Sequence, residues 1–466
     1  MTKRILLAVF AVALIATPAL AAVQSVRVGA EVDSTYLYRR GFDFDNSSAS
    51  PLYQSLFITQ TTVQIDGDLT EKVAATVGLI NERVWTSEQT SASTDIDLYL
   101  AYITLKEILD SPLTLIIGKQ DFRYGNSFIF DTAGTNNVAP GDSGLRAIAN
   151  DLTKQTTLDA VRAILDYNPL TVDLVFAVIA PGSTSLSDHE TQHYLYGTNA
   201  NYQLGDDMDS EVEAYFWYKV NRGAAAYEVG RSGDEDVIKV VGIRGSTNPI
   251  EGLNLQAEFA YQGGKKVTDV AAAAADYVRQ RKAYAIQGIV NYQLPVLKEY
   301  KPLAQYVYTK VTGDTDLDNA GQTNEEYTGW DPFFESQGGG TIYNTLFDLT
   351  NAHIHSAMLQ ATPMEDVTTK LTLTTIFLEA PLHVGQAIAL RQPDDTGSAA
   401  ETFSVVKHKS SHLGKEVDFE LLYDYTEDVQ FGLNMGWFFP GALFRPSGTD
   451  HATAAKQVLV NVDVAF

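Results

Sequence analysis

The chain has 466 residues and no cysteine, so disulfides and thiolate metal or redox chemistry are excluded. Its 58 Asp and Glu outnumber its 33 Lys and Arg, a formal net charge of −25 that excludes nucleic acid as a partner. The 24 Tyr and 21 Phe are far too many for a disordered acidic chain and suit a sheet with aromatic belts.

In chain order, Lys3 and Arg4 are followed by an apolar run over 5–16, then Pro18 and a small-residue site ending at Ala21. That layout predicts a secretory signal over 1–21, cleaved to leave 22–466. The apolar run is too short to span a bilayer, and no other stretch of eighteen apolar residues follows. With no Pro- or Ser-rich linker dividing it, 22–466 is expected to form one large closed sheet.

From Ser25 onward the pattern is period-two alternation in segments of about ten residues. In 25–38, Val26, Val28, Ala30, Val32, Tyr36 and Tyr38 share one face, with Arg27, Glu31 and Asp33 on the other. Similar segments recur to the chain end and predict about eighteen strands. Every second connection is short (66–70, 107–112, 168–169, 205–209, 248–252, 295–300, 362–366, 426–428). The others are long, the longest being 125–156, 313–350 and 380–415. Sorting loops by length onto two sides is expected of an all-β, transmembrane antiparallel barrel with short periplasmic turns and long extracellular loops. Within one long loop, the Ala-rich stretch 269–282 has helix propensity.

A barrel in an outer membrane turns its apolar face to lipid, and with eighteen strands its polar face lines a bore wide enough for water. Parity then places Arg27, Glu31, Asp95, Asp97, Arg162, Glu211, Glu213, Lys219, Arg244, Glu258, Glu416, Asp418, Glu420 and Asp463 in the lining. Lys119 and Arg123 join them on a strand whose parity is ambiguous. The carboxylate excess predicts preference for cations or neutral polar solutes.

Three motifs carry possible chemistry. Glu416, Asp418 and Glu420 share a strand face at roughly 7 Å spacing, which overlaps the paired acids of glycan hydrolases. His353 and His355 also share a face, two of the ligands a metal would need. Asp314, Asp316, Asp318 and Glu325 match positions one, three, five and twelve of a calcium loop, with Asn319 in place of the usual Gly. No cofactor is expected beyond such a structural Ca²⁺.

The last strand, 456–466, sets Val458, Val460, Val462, Val464 and Phe466 on one face. It resembles the closing strand of bacterial outer-membrane barrels, in which a terminal Phe is part of the signal read by the assembly machinery. Closure against 25–32 is expected to bring Asp463 near the level of Arg27. GKQDFRYG at 118–125, TLDAVRAILDY at 157–167, TGD at 312–314, WDPFFES at 330–336, LGKEVDFELLYDY at 413–425 and FGLNMGWFFPG at 431–441 together resemble the alginate-export family of outer-membrane porins. The resemblance implies an eighteen-stranded barrel in the outer membrane of a Gram-negative-type bacterium, passing polysaccharide or small solutes by diffusion. It also implies that Lys119, Gln120 and Tyr124 stand at the upper end of the fifth strand. The exporter of alginate itself uses an Arg-rich lumen for a polyanion, whereas this lining is acidic. The expected function is therefore a channel for polysaccharide or small hydrophilic solutes, with an outer-membrane glycan hydrolase and a plugged structural or adhesive barrel as alternatives.

Overall fold

The alternating segments fold as strands. The first thirteen are β1 (Ser25–Arg40), β2 (Tyr53–Thr70), β3 (Val73–Val84), β4 (Asp97–Leu105), β5 (Leu113–Gln120), β6 (Leu158–Asp166), β7 (Leu170–Ile179), β8 (His193–Gln203), β9 (Glu211–Asn221), β10 (Asp236–Ile250), β11 (Leu253–Thr268), β12 (Tyr277–Gln293) and β13 (Leu303–Val311). They are followed by β14 (Glu326–Tyr327), the helix α1 (Thr341–Leu346), β15 (Ala352–Met364), β16 (Val367–Phe377), β17 (Ala387–Ala389), β18 (Thr402–Ser404), β19 (His412–Thr426), β20 (Val429–Pro440) and β21 (Ala455–Ala465). The computed structural model describes residues 24–44, 53–85, 96–132, 145, 149–179, 193–221, 235–268, 277–314, 326–336, 339–382, 387–391, 402–404, 411–444 and 452–466.

Among the described residues, eighteen strands pair antiparallel with their neighbours around a closed wall, and β1 pairs with both β2 and β21. Closing a sheet on itself removes its two edge strands, the condition for it to sit in lipid. The short β14 adds in parallel to the top of β12, and β17 pairs with β18 in a separate sheet. The predicted signal segment lies outside the described residues.

The side chains sort as the alternation requires. Val26, Val28, Ile243, Leu359, Leu373 and Val460 are exposed on the outer face, while Ile80, Glu82, Glu213 and Gln287 are buried on the inner one. Aromatic residues gather near both rims. Toward the long-loop rim, Phe57 stacks on Trp85 at 4.8 Å and tilts against Tyr36 at 5.0 Å. Toward the short-turn rim, Tyr423 lies 6.1 Å from Tyr425 and 6.2 Å from Phe431. These are the girdles expected at the two membrane interfaces.

Two expectations are corrected. Asp463 pairs with Asp33, not at the level of Arg27, which is opposite Asp66. A closed barrel must stagger its first and last strands, so Phe466 ends opposite Ala30, bonded through both main-chain groups at 2.8 and 2.9 Å. The stretch predicted as a loop helix also differs. β11 and β12 stay paired up to Thr268 and Tyr277, so Tyr277 and Val278 are strand; residues 269–276 lie outside the described set.

Candidate functional site

Several connections fold into the upper half of the bore. Phe122 to Thr132 doubles back on itself, with Tyr124 N–H donating to Phe130 O and Thr132 N–H to Phe122 O at 3.0 and 2.9 Å. A second segment crosses it: Asp131 N–H donates to Phe334 O at 2.7 Å, and Ser336 N–H to Ser127 O at 2.9 Å. Their aromatic side chains fill the interior rather than meeting water. Phe130 packs edge-on against Trp217 of β9 at 4.7 Å, and Phe44 stacks on Phe438 at 5.4 Å. Room for Trp217 comes from the neighbouring strand, where a Cβ on Gly197 would lie 1.9 Å from the indole.

α1 is held to the wall by two of the acids singled out above. Glu416 is almost wholly buried, and its two carboxylate oxygens accept the N–H groups of Ile342 and Tyr343 at 2.7 and 2.9 Å. Thr341 Oγ1 donates to Asp418 at 2.7 Å. Gly340, at φ +124°, occupies backbone space that other residues rarely adopt, and a Cβ there would lie 2.4 Å from the Glu416 carboxyl carbon. Glu420 points to the adjoining cavity of ≈ 390 Å³ and accepts Lys370 Nζ at 2.6 Å.

A third inward segment, residues 149–155, lies along β1 to β4 and is fastened by polar contacts. Arg39, fully buried, grips Asp151 through both guanidinium ends at 2.9 and 2.5 Å and donates from Nε to Gln457 at 2.7 Å. Glu82 accepts Lys154 N–H at 2.7 Å and Thr153 Oγ1 at 2.9 Å; Asp97 accepts Gln155 at 3.0 Å. Lys154 Nζ contacts Glu31 and lies 3.4 Å from Asp33, within the group that Asp463 completes. Burial opposes the Lys154 ammonium, but the Glu31 hydrogen bond and the Asp33 charge prevail and raise its pKa.

Facing this, β6 to β10 line a polar cavity of ≈ 310 Å³. Arg162 Nε donates to Asp173 at 2.8 Å, as does the Tyr124 hydroxyl at 3.0 Å. Arg244 bridges Glu211 at 2.6 Å and Glu213 at 3.3 Å, and Tyr215 donates to Glu258 at 2.7 Å. Arg123, predominantly exposed, reaches into the same cavity. Above it Lys219 lies under the Phe334 ring, 4.8 Å from its centroid.

The structure thus brings most of the predicted lining residues to the inner wall, Arg27 standing exposed near its lower end. Lys119 is corrected: it shares the outward parity of Ile117 and lies opposite Asp159 on β6 and Ala101 on β4. Gln120 is its inward neighbour, hydrogen-bonded to Ala160 O at 3.3 Å. Asp95, Asp316, Asp318 and Glu325 lie outside the described residues. Asp314 is engaged by Arg279 at 2.8 Å. His353 and His355 face outward, each Nδ1 held by a tyrosine hydroxyl, Tyr308 at 2.8 Å and Tyr306 at 2.7 Å. Sequence reasoning missed Arg39, Lys154, Lys370 and Glu335. Arg39 was legible, since it continues the odd parity of Glu31 and Asp33; Lys154 carried no local signal.

An eighteen-stranded closed barrel with an apolar band, two girdles and a charged, loop-narrowed interior is an outer-membrane porin. Comparison with known proteins agrees. The family model for alginate export matches residues 26–457, and the chain belongs to that family. Solved structures with the same fold include Pseudomonas aeruginosa OpdK with vanillate, at 11% identity and a TM-score of 0.53 over 95% of this chain and 99% of that one. Pseudomonas aeruginosa OpdQ matches at 10% identity and 0.54, covering 95% and 98%. OccK3 (OpdO) of the same organism matches at 10% and 0.52, covering 96% and 97%. No curated protein matches the sequence.

Proposed function

We propose that this porin is a passive channel for small hydrophilic solutes that prefers cationic or neutral ones. The observation that carries the reading is the balance of charge on the inner wall. Among the described residues, the adjoining acids Glu31, Asp33 and Asp463 gather beside one cation, Lys154, which pairs with the first two, while Glu211 and Glu213 share Arg244. Residual negative potential in a narrow bore raises the local concentration of cations and repels anions. The inward segments favour small solutes over a polymer, because Phe122, Phe130, Phe333 and Phe334 occupy the upper bore. Polysaccharide export would require them to withdraw.

Planar-bilayer reversal potentials in asymmetric KCl test the charge reading, and a clear anion preference overturns it. Liposome swelling with sugars of increasing size tests the solute class. Steady absence of open current would favour a plugged barrel instead. A glycan hydrolase is the weaker reading, because Glu416 has both oxygens committed to α1 backbone and porins are not enzymes.

A further inference from the structure

The lipid-facing wall carries a second charge pattern that conduction does not use. Near the upper rim, from β13 round to β1, four outward Lys and Arg side chains and two histidines stand on neighbouring strands. Lys310 is opposite His353, Tyr308 opposite His355, Thr375 opposite Lys415, Trp437 opposite Lys456, and Lys456 opposite Arg40. Among the described residues, the outward positions on the upper halves of these strands include no carboxylate. Glu379, just above β16, pairs with Lys310 at 3.3 Å. Apart from that pair, the charged side chains at these outward positions among the described residues are all basic, in a chain of net charge −25.

Its depth points to the ligand. Tyr306 and Phe439 share the sector and are exposed, which sets these basic groups at the aromatic girdle. Leu359, Leu373 and Val460 below them are exposed and apolar, a surface for acyl chains. Lys and Arg at that depth extend their ammonium and guanidinium groups to the headgroup layer. The tyrosine hydroxyls fix the two histidine rings by Nδ1, so Nε2 is the atom that would meet an anion.

We propose that this sector binds the phosphate groups of an outer-leaflet phosphorylated lipid, its acyl chains lying on the leucine and valine surface beneath. Clustered basic groups at a membrane interface attract anionic headgroups in this way.

The test is native mass spectrometry of the full barrel in nonionic detergent, titrated with bisphosphorylated lipid A, with the dephosphorylated lipid, and with inorganic phosphate. The intact protein should retain the phosphorylated lipid at least tenfold more tightly than the dephosphorylated one. Lys310→Gln/Lys415→Gln/Lys456→Gln should abolish that difference, whereas Lys72→Gln/Lys298→Gln at the short-turn rim should preserve it. Should the triple variant fail to fold, as judged by its heat-modifiable gel mobility, Lys415→Gln alone replaces it and should weaken retention severalfold. Equal retention of both lipids, unchanged binding by the folded variants, or displacement of the lipid by low-millimolar phosphate would overturn the proposal.

Discussion

Arg39 on the first strand and Asp151 on an inward segment 112 residues later form a two-pronged ion pair inside the bore. Arg39 is fully buried and the Asp151 side chain is 9% exposed, so the guanidinium has no bulk water to fall back on. Removing one partner of such a pair costs about 3–5 kcal/mol, whereas replacing both with apolar groups costs far less. Arg39→Met should therefore free the 149–155 segment, raising open-channel noise and mean conductance in bilayer recordings. Arg39→Met/Asp151→Leu should return both close to the parent. Identical recordings for parent and single variant would show that the pair does not hold the segment.

The attachment of α1 makes a second prediction, for which the double constraint at Gly340 is decisive. Gly340→Ala demands a disfavoured φ, worth about 1–3 kcal/mol, and pushes a methyl group against Glu416. Glu416→Gln keeps the shape but replaces one accepting oxygen with a donor that faces an N–H. Both should detach α1 while leaving the wall intact. Limited proteolysis should then cut near 340–346 several times faster than in the parent, with unchanged β-sheet circular dichroism.

How far these features could be read in advance follows from periodicity. Strand number and loop sorting were legible because side chains alternate along most wall strands, with unbroken register in β1 and β21. The parity of β5 was not, because Leu113, Leu115 and Ile117 sit on one face and Ile116 on the other, with Gly118 at φ +128° between them and Lys119. Inward segments have no period. Lys154 reaches Glu31 across 123 residues, and nothing near either residue announces the other. The acids at Glu416 and Asp418 were found by parity, but their partner α1 was not, since a six-residue helix leaves too few turns for a pattern.

Protonation of Glu335 should couple the inward segments to pH. Burial pushes its carboxyl up to about 7, with Asp348 adding to the effect and Phe333 N–H and the Lys219 charge opposing it. An acid whose pKa rises from 4.5 on docking favours the docked state fully below 4.5. That contribution is lost as pH climbs through about 7. Conductance should accordingly increase between pH 5 and pH 8, and Glu335→Gln should hold it near the low-pH value throughout. A pH profile unaltered by Glu335→Gln would assign the dependence elsewhere.

The seam sets the last prediction. Phe466 contributes two separable things: main-chain bonds to Ala30 at 2.8 and 2.9 Å, and an aromatic ring on the lipid face, in a residue 73% exposed. Phe466→Ala removes the ring and keeps the bonds, whereas deleting residue 466 removes both. If the ring is read by the assembly machinery, Phe466→Ala should lower outer-membrane yield severalfold in cells yet fold into synthetic vesicles at nearly the parental rate. Deletion should also lower thermal stability, because Ala30 N–H and C=O lose their partners where lipid offers none, at about 1–3 kcal/mol per group. Normal cellular yield of Phe466→Ala would leave the terminal aromatic with a seam role only, and heat-modifiability gels of both variants distinguish the two contributions.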